Sequence, residues 1–284
     1  MGRTGAKGTQ MEEDIVRGLG IFAWFGYELP LAESLRRIRA AGFTHALLWW
    51  GAFDGDMPLL DQPDLVRRLG LEVENAHAPF DGCNDLWVPG EAGEAYARGL
   101  IRSLEECAAA GVPVLVAHIT DGPNPTPYSP LGVERLRRVA EAAQRTGVTL
   151  ALENLRRPLY TTDALDALAD CPAVGFCYDS GHDRLCPGSR PLPGVYADRL
   201  AALHLHDNDG SGDQHRLPFD GGTDWKERMA AVAAGGYAGP VSLEVQAYGG
   251  YEQRMDADAF LSRAHAAAEK LRSYMDEQGA GRAG

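Results

Sequence analysis

Histidines and carboxylates punctuate this chain at spacings that suit one shared site. They are His77, His118, Glu153, Asp179 with His182, His204 with His206 and Asp207, and Glu244. The principal six, His77, His118, Glu153, Asp179, His204 and Glu244, follow one another at intervals of 25 to 41 residues. Imidazole nitrogens and carboxylate oxygens can move protons or hold a divalent cation. Packed together with no cation, several of them would repel one another or stay desolvated. A divalent metal is therefore expected, and mixed imidazole and carboxylate donors suit Mn, Zn, Co or Fe, Mg less well. The segment HLHDNDGSGDQHRLPFDGGTDW (204–225) adds Asp213 and His215, two apart and able to face the same side of an extended loop. A solvated acidic loop is the plainer account of that segment.

The elements that must position these groups are legible as a rhythm. Eight short apolar runs, at 18–25, 43–50, 71–77, 112–118, 148–154, 173–179, 200–207 and 240–245, have the length and composition of strands. Amphipathic helical patterns lie between them at 31–41, 91–110, 131–146 and 256–275. Gly42, Gly70, Gly111 and Gly147 stand where helices would end, and Pro113 and Pro240 where strands would begin. This predicts an α/β fold, a single (β/α)8 TIM barrel over 15–275, with flexible tails at 1–14 and 276–284 and Met11 a candidate native start. An open doubly wound sheet is the runner-up, weakened by the lack of a GxGxxG after the first strand. The third to eighth strands each end on, or carry, a His or a carboxylate. In a barrel such strand ends converge on one mouth.

Composition narrows the partners. The 284 residues are 45% hydrophobic and 24% charged, an ordinary globular balance. Forty Asp and Glu against 27 Lys and Arg give a net charge of -13, which argues against nucleic acid. Cys83, Cys107, Cys171, Cys177 and Cys186 are odd in number and form no CxxC pair, so neither a disulfide framework nor a cysteine zinc site is expected. A reducing cytoplasm fits, and no apolar run is long enough to span a bilayer.

The runs HAPF (77–80), AHIT (117–120), LALEN (150–154), CYDSGHD (177–183), HLHDND (204–209), DQH (213–215) and SLEV (242–245) occur in an order that resembles the xylose-isomerase-like superfamily. That superfamily contains sugar isomerases and epimerases and the endonuclease IV family. The resemblance covers roughly residues 15 to 275. In its epimerase branch it implies one divalent metal (Mn, Co, Zn or Mg) on Glu153, Asp179, His204 and Glu244, with His204 preferred to His206, and no organic cofactor. In the endonuclease IV branch it implies three zinc ions, with His77, His118, His182, Asp213 and His215 as additional ligands.

On the preferred reading the substrate is a small sugar, sugar phosphate or polyol, and the reaction moves a proton next to a carbonyl through a metal-stabilised ene-diolate. Glu153 and Glu244 are the expected acid–base pair. His182, His206, Trp24, Trp49, Phe80 and Arg156 are expected to bind substrate, with Trp50, Trp87 and Arg157 as weaker candidates whose plainer roles are packing and solvation. The alternatives are a multi-zinc phosphoester hydrolase, a keto-sugar dehydratase and a non-catalytic barrel. Association into a homo-oligomer is left open.

Overall fold

The computed structural model describes residues 17–51, 57–186, 194, 196–248, 250–251 and 253–280. The expected tail at 1–14 lies outside them. Eight strands alternate with helices: β1 (Leu19–Phe22), β2 (His45–Trp49), β3 (Glu72–His77), β4 (Val114–Ala117), β5 (Thr149–Glu153), β6 (Val174–Asp179), β7 (Leu200–His204) and β8 (Val241–Leu243). The α-helices among the described residues are α1 (Leu31–Ala40), α2 (Gln62–Arg68), α3 (Glu91–Ala110), α4 (Pro130–Thr146), α5 (Pro158–Ala167), α6 (Ser180–Arg184), α7 (Trp225–Ala234) and α8 (Ala257–Ala280). All eight strands fall within the apolar runs. Helix α8 continues to Ala280, so residues 276–280 extend the last helix where a tail was expected.

The strands pair in parallel in the order β7-β6-β5-β4-β3-β2-β1-β8. A bridge between Leu205 and Leu243 closes the ring, with the Leu205 N–H donating to Ser242 O (3.0 Å) and the Glu244 N–H to Leu205 O (3.1 Å). The fold is a single (β/α)8 TIM barrel, and the open sheet is excluded.

Local chemistry sets the elements. Helix α1 buries Leu31, Leu35 and Ile38 at i, i+4 and i+7. Helix α4 starts at Ser129, whose side chain accepts from the Gly132 N–H, followed by Pro130 at a position that needs no donor. Helices α3 and α4 end on Gly111 and Gly147, left-handed at φ 67° and 72°, a conformation that costs glycine least. The main core lies between the strands' outer faces and the helices. Inside the barrel, Val116, Ala151, Cys177 and Ala202 form a small apolar cluster. Glu153, Asp179 and His204 lie two residues beyond the last three, so strand alternation aims them at the same interior.

Two features set the course of β3 and the connection that follows it. Strand β3 bulges against β2, where Ala46 pairs with Val73 but Leu47 pairs with Asn75, leaving Glu74 as the extra residue. The buried Arg135 guanidinium donates to the carbonyls of Asp85, Leu86, Val88 and Gly90 and pairs with Glu94 at 2.9 Å, pinning the connection between β3 and α3.

Candidate metal centre

The strand ends deliver the expected residues to one place. Oε2 of Glu153 lies 3.2 Å from Nε2 of His77, 3.3 Å from Nε2 of His118 and 3.4 Å from Nδ1 of His204. The same His204 nitrogen lies 3.3 Å from Oε2 of Glu244. Ligand-capable atoms of Glu153, Asp179, His204 and Glu244 all fall within 4.8 Å of one another, as do those of His77, Glu153 and His204, and those of His206, Asp213 and His215. His182 links the groups, with Nδ1 3.4 Å from Asp179 Oδ1 and Nε2 3.0 Å from Asp213 Oδ2. Ten side chains, from six strand ends, helix α6 and one loop, thus form a single network.

Backbone carbonyls orient three of the imidazoles. His77 donates Nδ1–H to Ala78 O (2.8 Å), His182 to Asn154 O (3.0 Å) and His215 to Glu244 O (2.8 Å). A carbonyl can only accept, so each ring carries a proton on Nδ1, the arrangement by which ligand histidines leave Nε2 for a cation, and each Nε2 here lies beside a carboxylate. His215 adopts this pose at φ 45°, a strained conformation of the kind that collects at functional sites.

Clamps from β5 to β6 and from β6 to β7 fix the centre. The Asn154 amide donates to Asp179 O and accepts the Asp179 N–H, both at 2.8 Å. The Ser180 hydroxyl donates to His206 O and accepts the His206 N–H. Gly181 must be glycine, because a Cβ there would lie 1.9 Å from the His206 ring. Asp207, which sits with the ligand-type residues in sequence, does different work. Its buried carboxylate accepts from the N–H groups of Asn208, Phe219, Gly222 and Thr223, the Thr223 hydroxyl and the Trp225 indole, and so shapes the loop that carries Asp213 and His215.

Electrostatics follow the geometry. Burial opposes the ionised form of Glu153, but His118 and His204 outweigh it and hold the carboxyl well below its ordinary range. Glu244 is brought to about 2 against burial, chiefly by His204. His182 is raised against burial by Asp179 and Asp213, and His215 to about 9 by Asp213 and Glu244. His118 moves down, because burial exceeds the pull of Glu153. Several donor atoms are nevertheless buried without a hydrogen-bond partner: His118 Nδ1, Glu153 Oε1, both ring nitrogens of His204, His206 Nδ1 and Asp213 Oδ1. Orphaned atoms on converging anionic and imidazole groups are what a divalent cation would satisfy, so the donor set fits one.

A cavity of about 1400 Å³ opens over the centre, and His77, His118, Glu153, His182 and Glu244 line it. Trp24, Trp49 and Phe80 line it too, Trp49 stacking on His77 (5.5 Å between ring centres) and Phe80 on His118 (4.5 Å). His206 does not face it, being fully buried behind Asp179. Arg156 is exposed and is not among the lining residues, and Arg157 donates to Pro123 O. Trp50 and Trp87 are buried packing residues, their indoles bonded to Glu106 and to Ile119 O. Glu28, Gln62 and Gln246 also line the cavity. They lie just after β1, at the start of α2 and just after β8, where sequence periodicity carries no signal.

Comparison with known proteins agrees with the barrel. The chain is 29% identical over 287 residues to the uncharacterized protein y4fM of Sinorhizobium fredii, spanning 86% of this chain and 89% of that one. It is 29% identical over 245 residues, 76% of this chain and 86% of the other, to a Streptomyces coelicolor protein provisionally named hydroxypyruvate isomerase. The solved structure of L-ribulose 3-epimerase superposes with a TM-score of 0.75 at 16% identity, covering 94% of this chain and 98% of that one. Residues 35–276 match the xylose isomerase-like TIM barrel family, and the chain belongs to it.

Proposed function

We propose that this protein is a divalent-metal-dependent sugar isomerase or epimerase. One observation carries the reading: Glu153 and Glu244 both line the cavity while sharing a ligand cluster with Asp179 and His204. Those four residues would hold the metal, which when bound polarises a carbonyl oxygen and offsets charge developing on it. The chain's own groups supply the rest. Glu153 is held ionised by His118 and His204, and Glu244 by His204, so each can take a proton from a carbon beside a carbonyl. An epimerase uses one carboxylate to remove the proton and the other to return it, whereas an aldose–ketose isomerase uses one alone. His182 presents a polar edge to substrate hydroxyls, and Trp24, Trp49 and Phe80 supply apolar walls. The names of the epimerase and isomerase relatives support the same chemistry.

The additional donors His77, His118, His182, Asp213 and His215 favour one second reading, a multi-zinc phosphoester hydrolase. Metal content per chain, measured by plasma mass spectrometry on protein purified without chelator or affinity metal, separates the two. About one equivalent of manganese, cobalt or a similar ion is expected. About three equivalents of zinc would overturn the isomerase reading in favour of the hydrolase, and no bound metal would overturn both.

A further inference from the structure

Beneath the candidate metal centre, beside the small apolar cluster of Val116, Ala151, Cys177 and Ala202, the side of the barrel interior formed by β1, β3 and β8 is polar where a TIM barrel usually packs aliphatic layers. The bulge in β3 adds Glu74, which is buried together with its neighbour Asn75. The Ser242 hydroxyl of β8 donates to Oε2 of Glu74. Gly20 of β1 leaves the space for this pair, since a Cβ there would lie 2.4 Å from Ser242 Oγ and 2.7 Å from Glu74 Oε2. Ser242 is two residues before Glu244, and its carbonyl accepts the N–H of Leu205, the residue after His204. The pair therefore lies directly beside the ligand strand β7.

Four buried polar atoms in this region have no hydrogen-bond partner: Oε1 of Glu74, Nδ2 and Oδ1 of Asn75, and Nε2 of His204. His204 turns Nδ1 toward Glu153 and Glu244, so its Nε2 points away from them. The Glu74 carboxyl can accept from an imidazole N–H or from a buried water, and such waters typically join about three polar groups.

We propose that Glu74 is a positioning residue for the metal centre: with Asn75 and Ser242 it forms a polar floor that holds the second nitrogen of His204, directly or across ordered water, and keeps the first aimed at Glu153 and Glu244. The inference rests on the metal reading above. A ligand histidine whose other nitrogen loses its partner turns more freely and changes tautomer more readily, and losing such a partner typically weakens metal binding roughly 10- to 100-fold.

The test is a cobalt(II) titration of the full metal-free chain, followed by its visible absorption, for wild type, Glu74→Leu and Glu74→Gln, with thermal melts alongside. Glu74→Leu is expected to weaken cobalt binding about 10- to 100-fold and to change the absorption band, and Glu74→Gln to lose less, because the amide still donates and accepts. Glu74→Leu binding within about threefold of wild type, or equal losses in the two variants, overturns the proposal. If Glu74→Leu does not fold, Gly20→Ala takes its place: its methyl group pushes on the same pair, so it is expected to weaken cobalt in the same direction, and unchanged binding overturns the proposal. Wild type taking up no cobalt overturns the metal reading itself, a result distinct from a variant that binds as wild type does.

Discussion

Nε2 of His206 lies 2.9 Å from Oδ2 of Asp179, and both side chains are fully buried. The contact makes His206 an orienting partner of a carboxylate in the candidate metal cluster. On the other side of the ring His206 stacks on His215, with centres 4.0 Å apart. His206→Phe keeps the stack and removes the hydrogen bond. Its expected effect is a roughly 10- to 100-fold loss of manganese affinity in calorimetric titration, with the fold intact by circular dichroism. Affinity equal to wild type would show that the His182 N–H on Oδ1 (2.6 Å) and the Asn154 clamp on the backbone hold Asp179 without His206.

Glu153→Gln and Glu244→Gln should each reduce turnover by about 10²- to 10⁴-fold, the usual contribution of a positioned acid or base. The assay is solvent deuterium incorporation into a panel of ketohexoses and hydroxypyruvate, followed by NMR. Near-normal incorporation in either variant would remove that carboxylate from the chemistry.

Glu74 gives stability a pH signature. Its folded pKa, about 8, lies above the ordinary 4.5, so the neutral acid is favoured on folding. The folded chain then binds a proton that the unfolded chain has released, and stability falls as pH rises between those values, by about 1.4 kcal/mol per pH unit. Below 4.5 the effect is absent, and above 8 it is constant. Chemical denaturation of wild type and Glu74→Gln from pH 5 to pH 9 should show the variant gaining on wild type up to about pH 8. Parallel curves would mean that Glu74 ionises normally.

Asp207→Ala strands a set of donors that converge on one buried carboxylate. Hydrogen bonds to a charged group contribute about 1.5–3 kcal/mol, and shared ones are not additive, so a loss of about 3 kcal/mol is expected in urea denaturation. Proteolysis should then cut first between residues 207 and 225. A change under about 0.5 kcal/mol would mean that the loop is held by other contacts.

The barrel was legible because each strand is a short apolar run and several helices carry an apolar stripe, as in α1 with Leu31, Leu35 and Ile38, whereas the stripes of α5 and α7 are too weak to be read from sequence. The ligand-type residues were legible because strand ends in a barrel share a mouth, a rule that needs only the strand boundaries. His206 was misplaced among substrate contacts. It shares a strand face with His204, and only the packing over Gly181 sends its ring behind Asp179. Arg156 was drawn in by nearness in sequence to Glu153, yet its loop leaves it exposed. The polar floor was illegible because it depends on the bulge at Glu74, and one extra residue in a strand leaves no mark on composition.

The donor groups come from six strand ends between His77 and Glu244, and the ring closes only where β8 meets both β1 and β7. No segment short of the closed barrel presents the full set. The entropy of bringing such distant residues together is spent before any cation can reward it. A metal bound at this cluster would therefore act after the folding barrier has been crossed: it is expected to leave the rate of refolding unchanged and to slow unfolding, so that its protection is measured as a lifetime.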